Sequence, residues 1–333
     1  MMIKKNETIF INSARELNFE SEIKLEDKSL TELYYHSIEF VKSNSKLPCN
    51  PAPEKHPYKD DLKLDESFNK FIIGTFPPHT YQADLLKDLK YCWGKKVTKP
   101  RLPFYHGNRE MLWLYLLGEE LLNSLDTNRI ERKIQIIDFL RERKINYADI
   151  IDFCQRREYN ANDSNLFNIV LNEDLLKFLK SKNSENILLV FNTGSFFTSS
   201  GMSFSASEQK LNPKSFVFDM FIHLLIENGC AVEVEILIGE RISINYFNRN
   251  KLKNIRNILS FNLFIDNKKI SVVAGPSPAN GDGKLQGNQI FKRFIKKHCP
   301  NNGIGSQKKE FKKFVYQTAL LGNFQDLEFL NKD

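Results

Sequence analysis

The chain has 333 residues, 41% of them hydrophobic and 27% charged, with 15 glycines, a composition that supplies a sizeable core and excludes a disordered chain, a collagen-like repeat and a disulfide scaffold. Its five cysteines, Cys49, Cys92, Cys154, Cys230 and Cys299, form no C-x-x-C pair, which excludes a zinc ribbon and ordinary iron–sulfur spacings and makes reduced thiols in a cytoplasm the simplest reading. The net charge is +7, and no apolar run approaches the ~18 residues that span a bilayer, so neither export nor membrane insertion is expected.

Residues 1–65 read as an N-terminal extension, with one helix over 29–42 and a proline-bearing loop over 47–58. Short runs rich in Ile, Val and Phe then recur at 71–76, 145–151, 186–192, 232–238 and 270–275 and predict buried strands. Helical patterns lie between them, at 108–123, 128–143, 173–182, 214–227 and 286–298. Strand–helix alternation predicts a three-layer α/β/α fold around a central, mainly parallel sheet, in which a ligand sits beyond the carboxyl ends of the strands. The expected organisation is one elaborated catalytic domain over 66–299 and a basic helical tail over 300–333 packed on it. No repeat at a solenoid period is visible.

The charge is concentrated. Between Lys284 and Lys313 nine basic side chains (Lys284, Lys292, Arg293, Lys296, Lys297, Lys308, Lys309, Lys312 and Lys313) face one acid, Glu310. The stretch from Arg241 to Arg256 adds five more basic residues and no acid. Such blocks attract a polyphosphate backbone through counterion release; a solvated helix face is the alternative.

Three strand ends carry glycine- and proline-rich loops: Gly74-Thr75-Phe76-Pro77-Pro78-His79, Asn192-Thr193-Gly194-Ser195 and Gly275-Pro276-Ser277-Pro278-Ala279-Asn280-Gly281. Their order and contents resemble the uracil-DNA glycosylase superfamily, in its hypoxanthine- and mismatch-type branch. Ile73–Pro78 is similar to that branch's G-S-F-P-[GS] element. Tyr105–Trp113 is similar to Y-x-N-P-R-N-x-F-W, and Ala148–Ile151 followed by Asn162-Asp163-Ser164 to W-D-V-L and L-D-S. Phe191–Gly194 is similar to F-N-G, and Gly275–Asn280 to P-S-x-S-P-A-N. The five matches run in order from Phe71 to Gly281.

The resemblance implies a monofunctional DNA glycosylase without a cofactor or metal, acting as a monomer on double-stranded DNA with one base flipped out. Cleavage of an N-glycosidic bond by water needs an acceptor near the water and donors near the departing base. Flipping needs a pocket, aromatic stacking and a grip on the flanking phosphates. Phe76, Tyr105, His79, Asn192 and Ser195 are the expected base-binding residues; Asn192 offers both a donor and an acceptor. Thr75, Ser277, Asn280, Lys284, Lys292 and Arg293 are the expected contacts to the DNA backbone, helped by the N-terminus of the helix after Gln286.

The chain also departs from the pattern. Where relatives carry a water-positioning acid or amide in the first loop, it has Phe76, and Gly275 stands where the best-known uracil enzymes have a histidine. Alignment on Trp113 makes Glu110 the leading water-activating carboxylate, with Asn108 as a fallback and Asp149 as a second candidate; a helix-dipole complement is the alternative for Glu110 and backbone capping for Asp149. The hydroxyl-rich segment from Gly194 to Gly201 leaves room for a bulky polar adduct. That suits the defence enzymes of the superfamily, which remove glucosylated cytosines from invading phage DNA; repair of uracil or hypoxanthine and a catalytically silent DNA binder are the alternatives. Neither a P-loop nor a dinucleotide fingerprint is present.

Overall fold

The computed structural model describes residues 3–5, 8–11, 54–59, 61–77, 91–92, 95–96, 102, 104–105, 110–156, 166–182, 186–192, 204–205, 210–211, 217–237, 240–244, 259–278 and 283–331. The strands that build its two main sheets are β1 (Ile3–Lys5), β2 (Thr8–Ile11), β3 (Glu54–Lys55), β4 (Lys70–Gly74), β5 (Ile145–Asp149), β6 (Ile151–Arg156), β7 (Leu166–Leu171), β8 (Ile187–Asn192), β9 (Val232–Leu237), β10 (Glu240–Ile244), β11 (Ser260–Ile265) and β12 (Lys268–Gly275). The helices are α1 (Met111–Leu117), α2 (Glu119–Ser124), α3 (Arg129–Glu142), α4 (Glu173–Ser181), α5 (Val217–Glu227), α6 (Gln289–His298) and α7 (Ile304–Leu320).

Seven strands form the central sheet in the order β10-β9-β11-β12-β8-β4-β5. The four from β12 to β5 are parallel, and the hairpin-connected strands on the other side are antiparallel, so five of the seven run one way. The fold is the expected α/β/α arrangement of helices on a mostly parallel sheet. The parallel strands lack polar alternation because both of their faces are covered: β5 and β8 are buried at every position.

The residues of β8 show how the two helical layers are placed. Phe191 meets Phe218 and Phe221 of α5, at 5.5 and 5.6 Å between ring centroids. Its neighbour Asn192, paired with Gly275 of β12, turns to the opposite face because side chains alternate along a strand. On that face lies Tyr316 of α7. A Cβ on Gly275 would stand 2.7 Å from the Phe191 carbonyl oxygen and 3.3 Å from the Tyr316 ring, which explains the glycine. The Tyr316 hydroxyl donates to the Pro276 carbonyl at 2.5 Å, fixing the start of the loop after β12. Phe311, Val315, Ala319 and Leu320 join the common core, so the helix beyond residue 300 is built into the domain.

Asparagines start three of the helices. The side-chain oxygens of Asn128, Asn172 and Asn288 accept amide hydrogens from the first turns of α3, α4 and α6. Apolar stripes at helical spacing, such as Leu175, Leu176 and Leu179 or Ile290, Phe291 and Phe294, are buried.

Several expectations need amendment. The helix predicted over 108–123 is broken at Gly118, whose φ of 86° ends α1 before α2 begins. The single strand predicted over 145–151 changes sheets at Ile150: β5 closes the edge of the central sheet, and β6 enters a second sheet of order β1-β2-β7-β6-β3. The loop predicted over 47–58 contributes β3 to that second sheet, and Tyr58 and Leu62, within the predicted extension, lie in the main core. The predicted helix over 29–42 lies outside the described residues. None of the described helices is long and apolar enough to cross a membrane.

Candidate functional site

The four parallel strands deliver their carboxyl ends to one edge. Gly74 pairs with Asp149, and Asn192 with Gly275; because Phe191 pairs with Ile73, Asn192 also stands beside Gly74. All four residues face the α7 side. A Cβ on Gly74 would stand 2.1 Å from Asp149 Oδ1 and 3.3 Å from Asn192 Oδ1. The carboxylate of β5 and the carboxamide of β8 therefore converge over a backbone position that only glycine leaves open.

Each group is held from behind. Asp149 Oδ2 is 3.0 Å from His56 Nε2, and the Asp149 carbonyl accepts from Asn172 Nδ2 at 3.0 Å. Asn192 Nδ2 donates to the Tyr147 hydroxyl at 2.6 Å. The Tyr147 ring stacks on Tyr105 at 3.7 Å between centroids, and Trp113 Nε1 donates to the Tyr105 carbonyl at 2.6 Å. Asp149 is 5% exposed and Asn192 7%. Asp149 Oδ1 has no hydrogen-bond partner among the described residues.

A cavity of about 270 Å³ opens from Asp149, lined by His56, Tyr105, Tyr147, Asp152, Lys59 and Asp174 with apolar cover that includes Leu62 and Phe178. Lys59 spans Asp152 and Asp174 at 2.7 and 2.9 Å. Burial acts to lower the Lys59 ammonium, but the hydrogen bonds and charges of the two carboxylates outweigh it and raise its pKa above the usual lysine value. Asp174 is lowered by the same contact.

Burial, with the Asp149 charge second, pushes the phenols of both Tyr105 and Tyr147 well above their usual range. Above about pH 10 an unfolded chain ionises all its tyrosines, whereas these two keep their protons when folded. The unfolded state then binds fewer protons, so stability is full below pH 10 and falls as pH rises beyond it. Absorbance at 295 nm is expected to show the last phenols ionising only with unfolding, and melting temperatures should drop steadily as pH rises above about 10.

Of the residues expected from sequence, Asp149, Asn192 and Tyr105 come together here. Phe76 is buried edge-on against His56 at 5.5 Å between ring centroids, and Thr75 gives its carbonyl to the Ile151 amide. Glu110 is spent elsewhere: its carboxylate receives Arg132 Nε at 2.6 Å and Arg132 Nη2 at 3.2 Å, and it does not line the cavity. Asn108, His79, Ser195 and Asn280, and the side chain of Lys284, lie outside the described residues. His56 was missed because it sits in the segment taken for an extension, 93 residues from its partner.

The basic face is partly structural. Arg293 donates to the Leu330 carbonyl at 2.7 Å, and Lys312 is buried over the Tyr115 ring. Lys297 covers the ring of Phe329. Lys292 and Lys296 are exposed on α6, while Ser277 is half-buried. At the N-terminus of α6, Asn288 Oδ1 already takes the Ile290 and Phe291 amides, which removes two donors expected to grip a phosphate. No group of three or more potential metal ligands converges among the described residues. No family model, curated protein or solved structure matches the chain.

Proposed function

We propose that the chain is a monofunctional DNA glycosylase of the uracil-DNA glycosylase superfamily, hydrolysing the N-glycosidic bond of a flipped-out base to leave an abasic site. The observation that carries the reading is the strand-end register. Gly74, Asp149, Asn192 and Gly275, which belong to four motif matches spread along two hundred residues, stand side by side on adjacent parallel strands. A buried carboxylate with one open oxygen is the acceptor that a glycosidic hydrolysis needs, and Asp149 takes the role for which Glu110 was the leading candidate.

Exposed Lys292 and Lys296 follow the Gly275–Pro278 loop and support the grip on a duplex. The substrate is a modified pyrimidine in invading DNA, such as glucosylated 5-hydroxymethylcytosine, and the enzyme acts in the cytoplasm as a monomer. Duplexes carrying this base, uracil or hypoxanthine are incubated with the protein and then cleaved at abasic sites with alkali. Breaks in the glucosylated duplex support the reading, breaks only at uracil or hypoxanthine move it to repair, and no breaks on any duplex reject it.

A further inference from the structure

The segment over 54–62, outside the expected catalytic domain, holds the carboxylate of the site. His56 is 5% exposed, enclosed by the rings of Tyr105, Phe76 and Tyr58 at 5.4, 5.5 and 6.2 Å between centroids. The Tyr58 amide donates to His56 Nδ1 at 3.2 Å. A ring nitrogen that accepts a hydrogen carries none, so the imidazole proton is on Nε2, and it points at Asp149 Oδ2. That bond fixes one carboxylate oxygen and leaves the other, Oδ1, over Gly74. Asn192 reaches the same place with an acceptor, because its Nδ2 is turned to Tyr147 and its Oδ1 to Gly74.

We infer that His56 is the positioning residue of a two-acceptor seat, Asp149 Oδ1 with Asn192 Oδ1, that holds one water above Gly74. A water giving one hydrogen to each oxygen has its lone pairs directed away from both. Within the glycosylase reading, on which the catalytic half of this inference rests, that lone pair attacks. The water oxygen bonds to C1′ of the deoxyribose as the bond from C1′ to the base nitrogen breaks, and the bonding pair leaves with the base. One water proton passes to Asp149 and on to the base or solvent, giving free base and a C1′ hydroxyl.

Three measurements on the full chain test the seat. A crystal structure fine enough to order waters is expected to show one within about 3.2 Å of both oxygens; an empty or protein-filled position overturns the inference. Nitrogen-15 shifts of the His56 imidazole should report the Nε2–H tautomer, and the opposite tautomer overturns it. In base release, Asp149→Asn should lower kcat about 10²- to 10³-fold, and His56→Leu about tenfold with KM unchanged. His56→Gln, which keeps a donor toward Asp149, should recover most of the loss; equal defects in Gln and Leu variants overturn the positioning role. A wild type that releases no base rejects the glycosylase reading alone, and the water and the tautomer still decide the seat.

Discussion

Gly74→Ala is expected to abolish base release and to cost about 1–3 kcal/mol of stability, the range for forcing an extra methyl into a packed site. The new Cβ would meet Asp149 Oδ1 at 2.1 Å and Cγ at 3.1 Å, so the carboxylate must swing away. Swinging breaks the bond to His56 and leaves a buried charge without its donor, which raises the cost beyond simple crowding. Adding Asp149→Ala to the same chain removes the obstructing atoms. Denaturant unfolding should therefore find the double variant more stable than Gly74→Ala alone, while base release stays lost. Additive losses in the two variants would mean that the glycine and the carboxylate do not contend for one space.

Glu110→Ala is expected to destabilise by about 3 kcal/mol, because at a residue 7% exposed it removes the carboxylate that pairs with Arg132 Nε and Nη2, leaving the guanidinium only the Leu125 and Asp126 carbonyls on Nη1. Glu110 also holds a left-handed backbone, φ 49°, as it enters α1. That conformation costs a residue with a side chain about 1 kcal/mol, and glycine is free of it. Glu110→Gly should accordingly lose about 1 kcal/mol less than Glu110→Ala, the reverse of the order inside a helix. Urea unfolding with unchanged m-values checks the order. Turnover per folded molecule should survive both changes; a catalytic collapse at intact stability would return Glu110 to the chemistry and remove Asp149 from it.

The central parallel strands are legible because burial on both faces writes itself as an unbroken apolar run, as over 187–191 and 272–275. The antiparallel side was harder. β10 begins at Glu240 and runs into a stretch that shows only charge in the sequence, where the Arg241 guanidinium lies 3.7 Å over the Phe264 ring and so covers the sheet instead of marking a ligand. Local spacing also cannot announce that one apolar run serves two sheets, as happens at Ile150.

At the site, Asp149 and Asn192 were visible as polar residues ending apolar strands. Glu110 was chosen by its distance from Trp113, and nothing near it in the chain told of Arg132, whose approach depends on how α3 packs. His56 has the same history. Its role arises from pairing across 93 residues, a separation that leaves no period to read.

The hydroxyl that fixes the loop after β12 belongs to Tyr316, 40 residues beyond the carbonyl it holds. During synthesis, every strand of the central sheet is complete while Pro276 still waits for its partner. Assembly of the sheet and maturation of its working edge are therefore separate events in time. The docking of α7 joins them, and a nascent chain that has finished its sheet has not yet finished its site.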